Sequence, residues 1–222
     1  MKWVVYVGFA VGVFIALSLF SFWLAVRPPR LTIPLAPADF KLAVEEIWIP
    51  TADGLRLSAW LVAKAGAPAI VLLHGYPAEK TDMLPLAAVL ARRFTVLLVD
   101  LRYFGRSDGS VTTLGFRERN DLRRAIDALA RRGFDRVGVF GFSLGGAIAL
   151  TTAVDEPRIG AVAAYSPFAD LRMLATSCTR GWGRCGTLSS VSCVSGRVSS
   201  WAPTSRRFRP WPPRHAFRSP CI

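Results

Sequence analysis

The sequence predicts an α/β fold: a mostly parallel sheet with helices on both faces, behind one membrane-crossing helix. Three observations predict it. Short apolar runs of strand length alternate with helix-period segments between residues 69 and 167. Three of these runs end at or just before a chemistry-bearing side chain, at His74, Asp100 and Ser143. Residues 3–26, "WVVYVGFAVGVFIALSLFSFWLAV", carry no charge.

That first run gives an anchor. As a helix its 24 residues reach roughly 36 Å, enough to cross a hydrocarbon core of about 30 Å. A cleaved signal peptide would need a shorter apolar region ending in a small-x-small site, and Trp23 and Leu24 stand where small residues are wanted. We therefore expect residues 1–26 to be an uncleaved anchor. Lys2 on one side and Arg27 and Arg30 on the other leave its orientation open.

The next stretch, residues 27–43, reads as a proline-punctuated tether. "EEIWIPTADGLRLSAWLVAK" then gives two alternating runs around Ala52-Asp53-Gly54, a hairpin. "AIVLLHG" (69–75) is a buried strand, "MLPLAAVLARR" a helix and "FTVLLVDLR" (94–102) a second buried strand. A helix over 113–133 places Phe116, Leu122, Ile126 and Leu129 at helical spacing and stops at Gly133. "RVGVFG" (136–141) is a strand, "LGGAIALTTAV" a helix, and "IGAVAAYSP" (159–167) a further strand.

Beyond residue 175 the composition breaks. The whole chain has a net charge of +13, but residues 176–222 hold eight arginines and no lysine, aspartate or glutamate. Residues 1–175 keep 20 basic and 15 acidic side chains, so the body is only mildly basic and no nucleic-acid partner is expected. All four cysteines (Cys178, Cys185, Cys193, Cys221) also fall in the tail. It reads as a disulfide-rich module, a disordered basic arm or a translated wrong frame. The abrupt loss of three residue types favours the last.

The chemistry centres on Gly141-Phe142-Ser143-Leu144-Gly145, set between a strand and a helix. A serine on such a turn is held clear of the sheet at a helix N-terminus, where free N–H groups favour developing negative charge. "LLHGYP", "VDLRYFGRSDG", "TLGFRERNDLRRAIDAL", "RVGVFGFSLGG" and "AVAAYSPFADLR" together resemble the α/β-hydrolase fold family. They are most similar to its membrane-anchored, Bem46-like members related to the serine aminopeptidases, over residues 44–173.

The resemblance implies that Ser143 is a nucleophile attacking an acyl carbon, with the backbone N–H groups of Leu144 and Tyr76 as the oxyanion hole. It implies that His74 orders its loop, and that Asp100 and Arg102 brace loops. The expected activity is hydrolysis of an ester, thioester or amide in a small-molecule or peptide acyl substrate, without metal or cofactor.

The family's base and acid follow later strands. Asp170 is the one candidate acid, with a loop or helix-cap role as its alternative. His215 is the one histidine after Ser143, but no strand precedes it, and we expect it not to serve as base. The hydrolase domain, residues 44–175, is thus expected to be C-terminally incomplete, with an open sheet edge and little or no activity. The alternatives are an inactive membrane-tethered remnant binding through its basic tail, and an acyltransferase.

Overall fold

The computed structural model describes residues 2–168. Its element order is α1 (Lys2–Val26), β1 (Glu45–Pro50), β2 (Arg56–Val62), β3 (Ala69–Leu73), α2 (Leu84–Leu90), β4 (Thr95–Val99), α3 (Glu118–Ala130), β5 (Val137–Phe142), α4 (Leu144–Ala153) and β6 (Ile159–Tyr165). One six-stranded sheet runs β1-β2-β4-β3-β5-β6. The β1–β2 hairpin and the β2–β4 pair are antiparallel, while β4, β3, β5 and β6 are mutually parallel. The predicted sheet with helices on both faces is what the chain forms.

Alternation along the central strands separates two cores. Val71, Leu73, Leu97, Val99 and Val139 point to the side covered by α3 and α4. Leu72, Val96 and Leu98 point to the side covered by α2. Both faces of β3 and β4 are therefore apolar, which is why those strands read as continuous hydrophobic runs.

Two element boundaries expected from the sequence are corrected. The helix expected over 113–133 begins only at Glu118. Leu114 and Gly115 have positive φ, and the buried Glu118 carboxylate accepts hydrogen bonds from the Thr112 hydroxyl, the Thr113 N–H and hydroxyl, and the Gly115 N–H. That carboxylate holds residues 112–115 as a loop. Phe116, expected on the buried face, lies before the helix and is 81% exposed, whereas Leu122, Ile126 and Leu129 are buried. The strand expected to reach residue 102 stops at Val99. There the Asp100 N–H donates to Ser58 O, and Tyr103 turns the chain with a φ of 73°.

The segment read as a tether, residues 27–43, makes contacts along the body. Leu35, Phe40 and Leu42 pack against the α2-side core. The Ile33 N–H donates to Glu79 Oε1 at 2.9 Å, and the Tyr103 hydroxyl donates to Pro28 O at 2.6 Å. The segment has no regular structure from Pro28 to Ala36 and then makes one 3-10 turn over Pro37–Phe40, and its spaced apolar side chains find a surface to cover. Residues 27–43 are a strap along the body.

The helix α1 is the one span among the described residues long and apolar enough to cross a membrane by length and composition, and no part of its hydrophobic window is buried.

Candidate active site

The strands β4, β3 and β5 lie side by side, so the residues after them meet at one end of the sheet. Asp100, His74 and Ser143 each follow one of these three strands, within one or two residues of its end. Ligands of parallel sheets bind at this carboxyl end.

Ser143 sits between β5 and α4 with φ 48° and ψ −109°. A left-handed φ on a non-glycine residue costs about 1–3 kcal/mol and persists only where the surroundings enforce it. Here the Ser143 N–H donates to Tyr165 O at 2.9 Å, and its carbonyl accepts from the Ala147 N–H at 3.0 Å. The backbone is held on both sides, and the side chain is left half-buried at the site.

The flanking glycines are there because no side chain fits. A Cβ on Gly145 would lie 2.5 Å from Leu73 O and 2.6 Å from His74 O. A Cβ on Gly141 would overlap the Gly145 backbone. At Gly75 a Cβ would lie 2.6 Å from Phe142 Cδ1 and 3.3 Å from Ser143 Cβ, so the loop after β3 passes against the serine. This close crossing brings Tyr76 and Leu144 to the same locality. Leu144 is the first residue of α4, where an N–H has no intrahelical partner. Among the described residues nothing accepts a hydrogen bond from the Tyr76 N–H.

His74 is fully buried and committed. Its Nε2 accepts from the Leu101 N–H at 3.0 Å, which leaves Nδ1 as the donor to Gly75 O at 2.8 Å. Burial pulls its pKa below the ordinary imidazole value, so the ring is neutral. It ties the β3 loop to the β4 loop.

Asp100 and Arg102 are also occupied. The Asp100 carboxylate accepts from the Lys80 N–H (2.7 Å), Lys80 Nζ (2.5 Å) and the Arg106 N–H (3.0 Å). Lys80 Nζ also donates to Ser58 Oγ and lies over the Trp60 ring. Arg102 forks onto Asp121 and reaches Asp53. Hydrogen bonding to these carboxylates outweighs burial and holds its pKa above the ordinary arginine value. Burial outweighs the same arginine at Asp121, whose pKa is pushed up, while at the more open Asp53 the Arg102 hydrogen bond brings it down. These pairs brace the loops around the site.

Sequence reasoning missed Lys80, a buried lysine inside what reads as a polar loop, and the aromatic wall. Phe142 stacks on Tyr165 at 5.6 Å, and Phe104 meets His74 and Tyr76 edge-on. Phe142 and Tyr165 meet as register partners of β5 and β6, whereas Lys80, Phe104 and Tyr76 are brought in by the loops after β3 and β4, which carry no periodic signal. Asp170 and His215 lie outside the described residues. Among the described residues nothing hydrogen-bonds Ser143 Oγ, and no three His, Cys, Asp or Glu side chains gather as a metal site.

A strained serine at a strand-to-helix crossing, with a glycine loop pressed against it, defines a class. Residues 68–177 match the family model described as alpha/beta hydrolase fold, and the chain has that fold. It is 26% identical over 151 residues to the alpha/beta hydrolase domain-containing protein WAV2 of Arabidopsis thaliana, covering 64% of this chain and 48% of that protein. It is 33% identical over 141 residues to the polyketide transferase af380 of Aspergillus fumigatus, covering 57% and 46%. The solved esterase Pf2001 of Pyrococcus furiosus superposes with a TM-score of 0.65 at 28% identity, covering 69% of this chain and 63% of that one. The chain spans about half the length of these curated relatives.

Proposed function

We propose that this body encodes a serine hydrolase of the membrane-anchored, Bem46-like kind, with Ser143 as nucleophile. The carrying observation is the strained Ser143 backbone between Gly141 and Gly145, with Gly75 and Tyr76 against it. Ser143 Oγ attacks an acyl carbon of an ester, thioester or amide. The carbonyl oxygen, becoming an oxyanion, takes the N–H groups of Leu144 and Tyr76, and the leaving alcohol, thiol or amine departs as the acyl-serine forms.

The Oγ proton needs a base, and His74 is spent on its two backbone contacts. Asp170 and His215 remain the acid and base candidates by sequence order alone. We propose that residues 176–222 carry an out-of-frame translation in place of the family's later strands, so that this chain turns over little or no substrate. Reading the coding DNA from about codon 165 in all three frames tests this. A second frame supplying two strand–helix units with an aspartate and then a histidine is the expected result.

The protein test uses the full chain and a serine-directed fluorophosphonate. Slow labelling at Ser143, absent in Ser143→Ala, is expected, because the oxyanion site alone retains some reactivity. Labelling that survives Ser143→Ala would overturn the nucleophile. Rapid Ser143-dependent ester turnover would overturn the missing base. Similarity to a polyketide transferase favours one second reading, acyl transfer to an acceptor other than water, which product analysis separates from hydrolysis.

A further inference from the structure

The end of α1 is fastened to the catalytic face. The Tyr76 hydroxyl donates to Ala25 O at 3.1 Å, and the Thr112 N–H donates to Val26 O at 3.0 Å. One turn on, Tyr103 holds Pro28 O, and Arg30 donates to Gly105 O and Gly109 O while lying over the Tyr103 ring. Tyr76, Tyr103, Gly105, Gly109 and Thr112 all belong to loops after β3 and β4, the end of the sheet that carries Ser143. The contact route from Ala25 through Tyr76 and Gly75 bounds Ser143 at roughly 20 Å from the helix end, taking about 3.8 Å per Cα step.

The helix end itself has the character of a membrane boundary. Trp23 closes the uncharged run, and Arg27 lies over its ring at 5.8 Å, an aromatic and a cation of the kind that mark the interface. Beside it the loop from Thr112 carries Phe116, 81% exposed, and Tyr165 is exposed at the same end of the sheet. With α1 in a bilayer, these side chains meet the headgroup layer, and the amino ends of the strands face water.

We propose that the Ser143 mouth lies on the bilayer surface and takes its acyl substrate from the membrane, as a lipid ester resident in the bilayer and not a water-soluble ester. This rests on the reading of α1 as an anchor and of Ser143 as nucleophile. Phe116 reaches into the interface and steadies the face. The strap of residues 27–43 fixes the body so that the mouth cannot swing away.

The test places the full chain in phosphatidylcholine vesicles with two fluorophosphonates, one long-chain and bilayer-partitioned, one short and water-soluble. A Ser143 facing the membrane reacts with the partitioned probe at least tenfold faster. A Ser143 facing water reacts more slowly with it, since partition depletes that probe from solution. Arg30→Ala with Tyr103→Phe loosens the strap and should bring the ratio toward one while leaving the short probe's rate unchanged. Faster reaction of the short probe overturns this inference alone. Failure of both probes to reach Ser143 overturns the hydrolase reading and the inference with it.

A second readout needs no reactive serine. With the four cysteines changed to Ser, a fluorophore is placed through Phe116→Cys or through Asp135→Cys at the opposite end of the sheet. Nitroxide lipids should quench position 116 at least threefold more than 135. Equal quenching overturns the orientation.

Discussion

At the scale of single residues, Ser143 is a compromise between backbone and chemistry. Its φ of 48° is one that glycine adopts without strain. Ser143→Gly is therefore expected to stabilise the chain by about 1 kcal/mol and abolish fluorophosphonate labelling. Ser143→Ala should abolish labelling with no such gain, and thermal unfolding of both variants in detergent checks the difference. Gly145→Ala works the other way. Its Cβ would press on the Leu73 and His74 carbonyls, which are backbone and cannot step aside. A loss of about 1–3 kcal/mol, together with slowed labelling, is expected. His74 adds a pH dependence of known sign. Its folded pKa lies below the unfolded value of about 6.5, so the folded chain refuses a proton that the unfolded chain accepts. Its contribution is fully present above pH 6.5 and is lost as pH falls below it. Unfolding temperatures at pH 7.5 and 5.5 should differ in the native chain, and by less in His74→Gln.

At the scale of elements, α3 shows how a correct period can be attached to a wrong boundary. Leu122→Ala or Ile126→Ala opens the α3–α4 core and should cost about 2–5 kcal/mol. Phe116→Ala, at the position that helical spacing also pointed to, should change stability by less than about 0.5 kcal/mol, as surface substitutions do. Chemical unfolding of the three variants distinguishes the observed boundary from the expected one. The edge strand β6 offers a further check. Among the described residues nothing pairs with its outer side, where Ala163 is exposed. Ala163→Lys should then raise the monodisperse fraction in detergent, because a charge on an unpaired edge blocks strand addition. Destabilisation instead would mean that residues beyond 168 pair there.

At the scale of the whole molecule, α1, the strap and the sheet are held together by shared contacts. The loops after β3 and β4 brace one another through His74 and Asp100, Arg102 ties the β4 loop to α3 and the β1–β2 turn, and the same loops grip the end of α1. Truncating α1 therefore removes contacts from the loop that carries Tyr76. Deleting residues 2–26 is expected to leave the sheet folded but to slow labelling of Ser143 severalfold even by the water-soluble probe. An unchanged rate would show that the grip does not reach the site.

The sequence by itself determined the order of strands and helices, the apolar span and the serine turn. Each of these is a local property: buried parallel strands need runs of apolar residues, a membrane span needs length without charge, and the Ser143 turn needs glycine at 141 and 145. Only the tertiary structure decided the rest. Glu118 gathering the 112–115 backbone joins near neighbours, but Lys80 buried on Asp100 and Tyr76 reaching back to Ala25 join residues 20 and 51 apart in the chain. Such contacts form when the sheet closes and brings its loops to one end, and a one-dimensional pattern holds no signal for a partner fifty residues away.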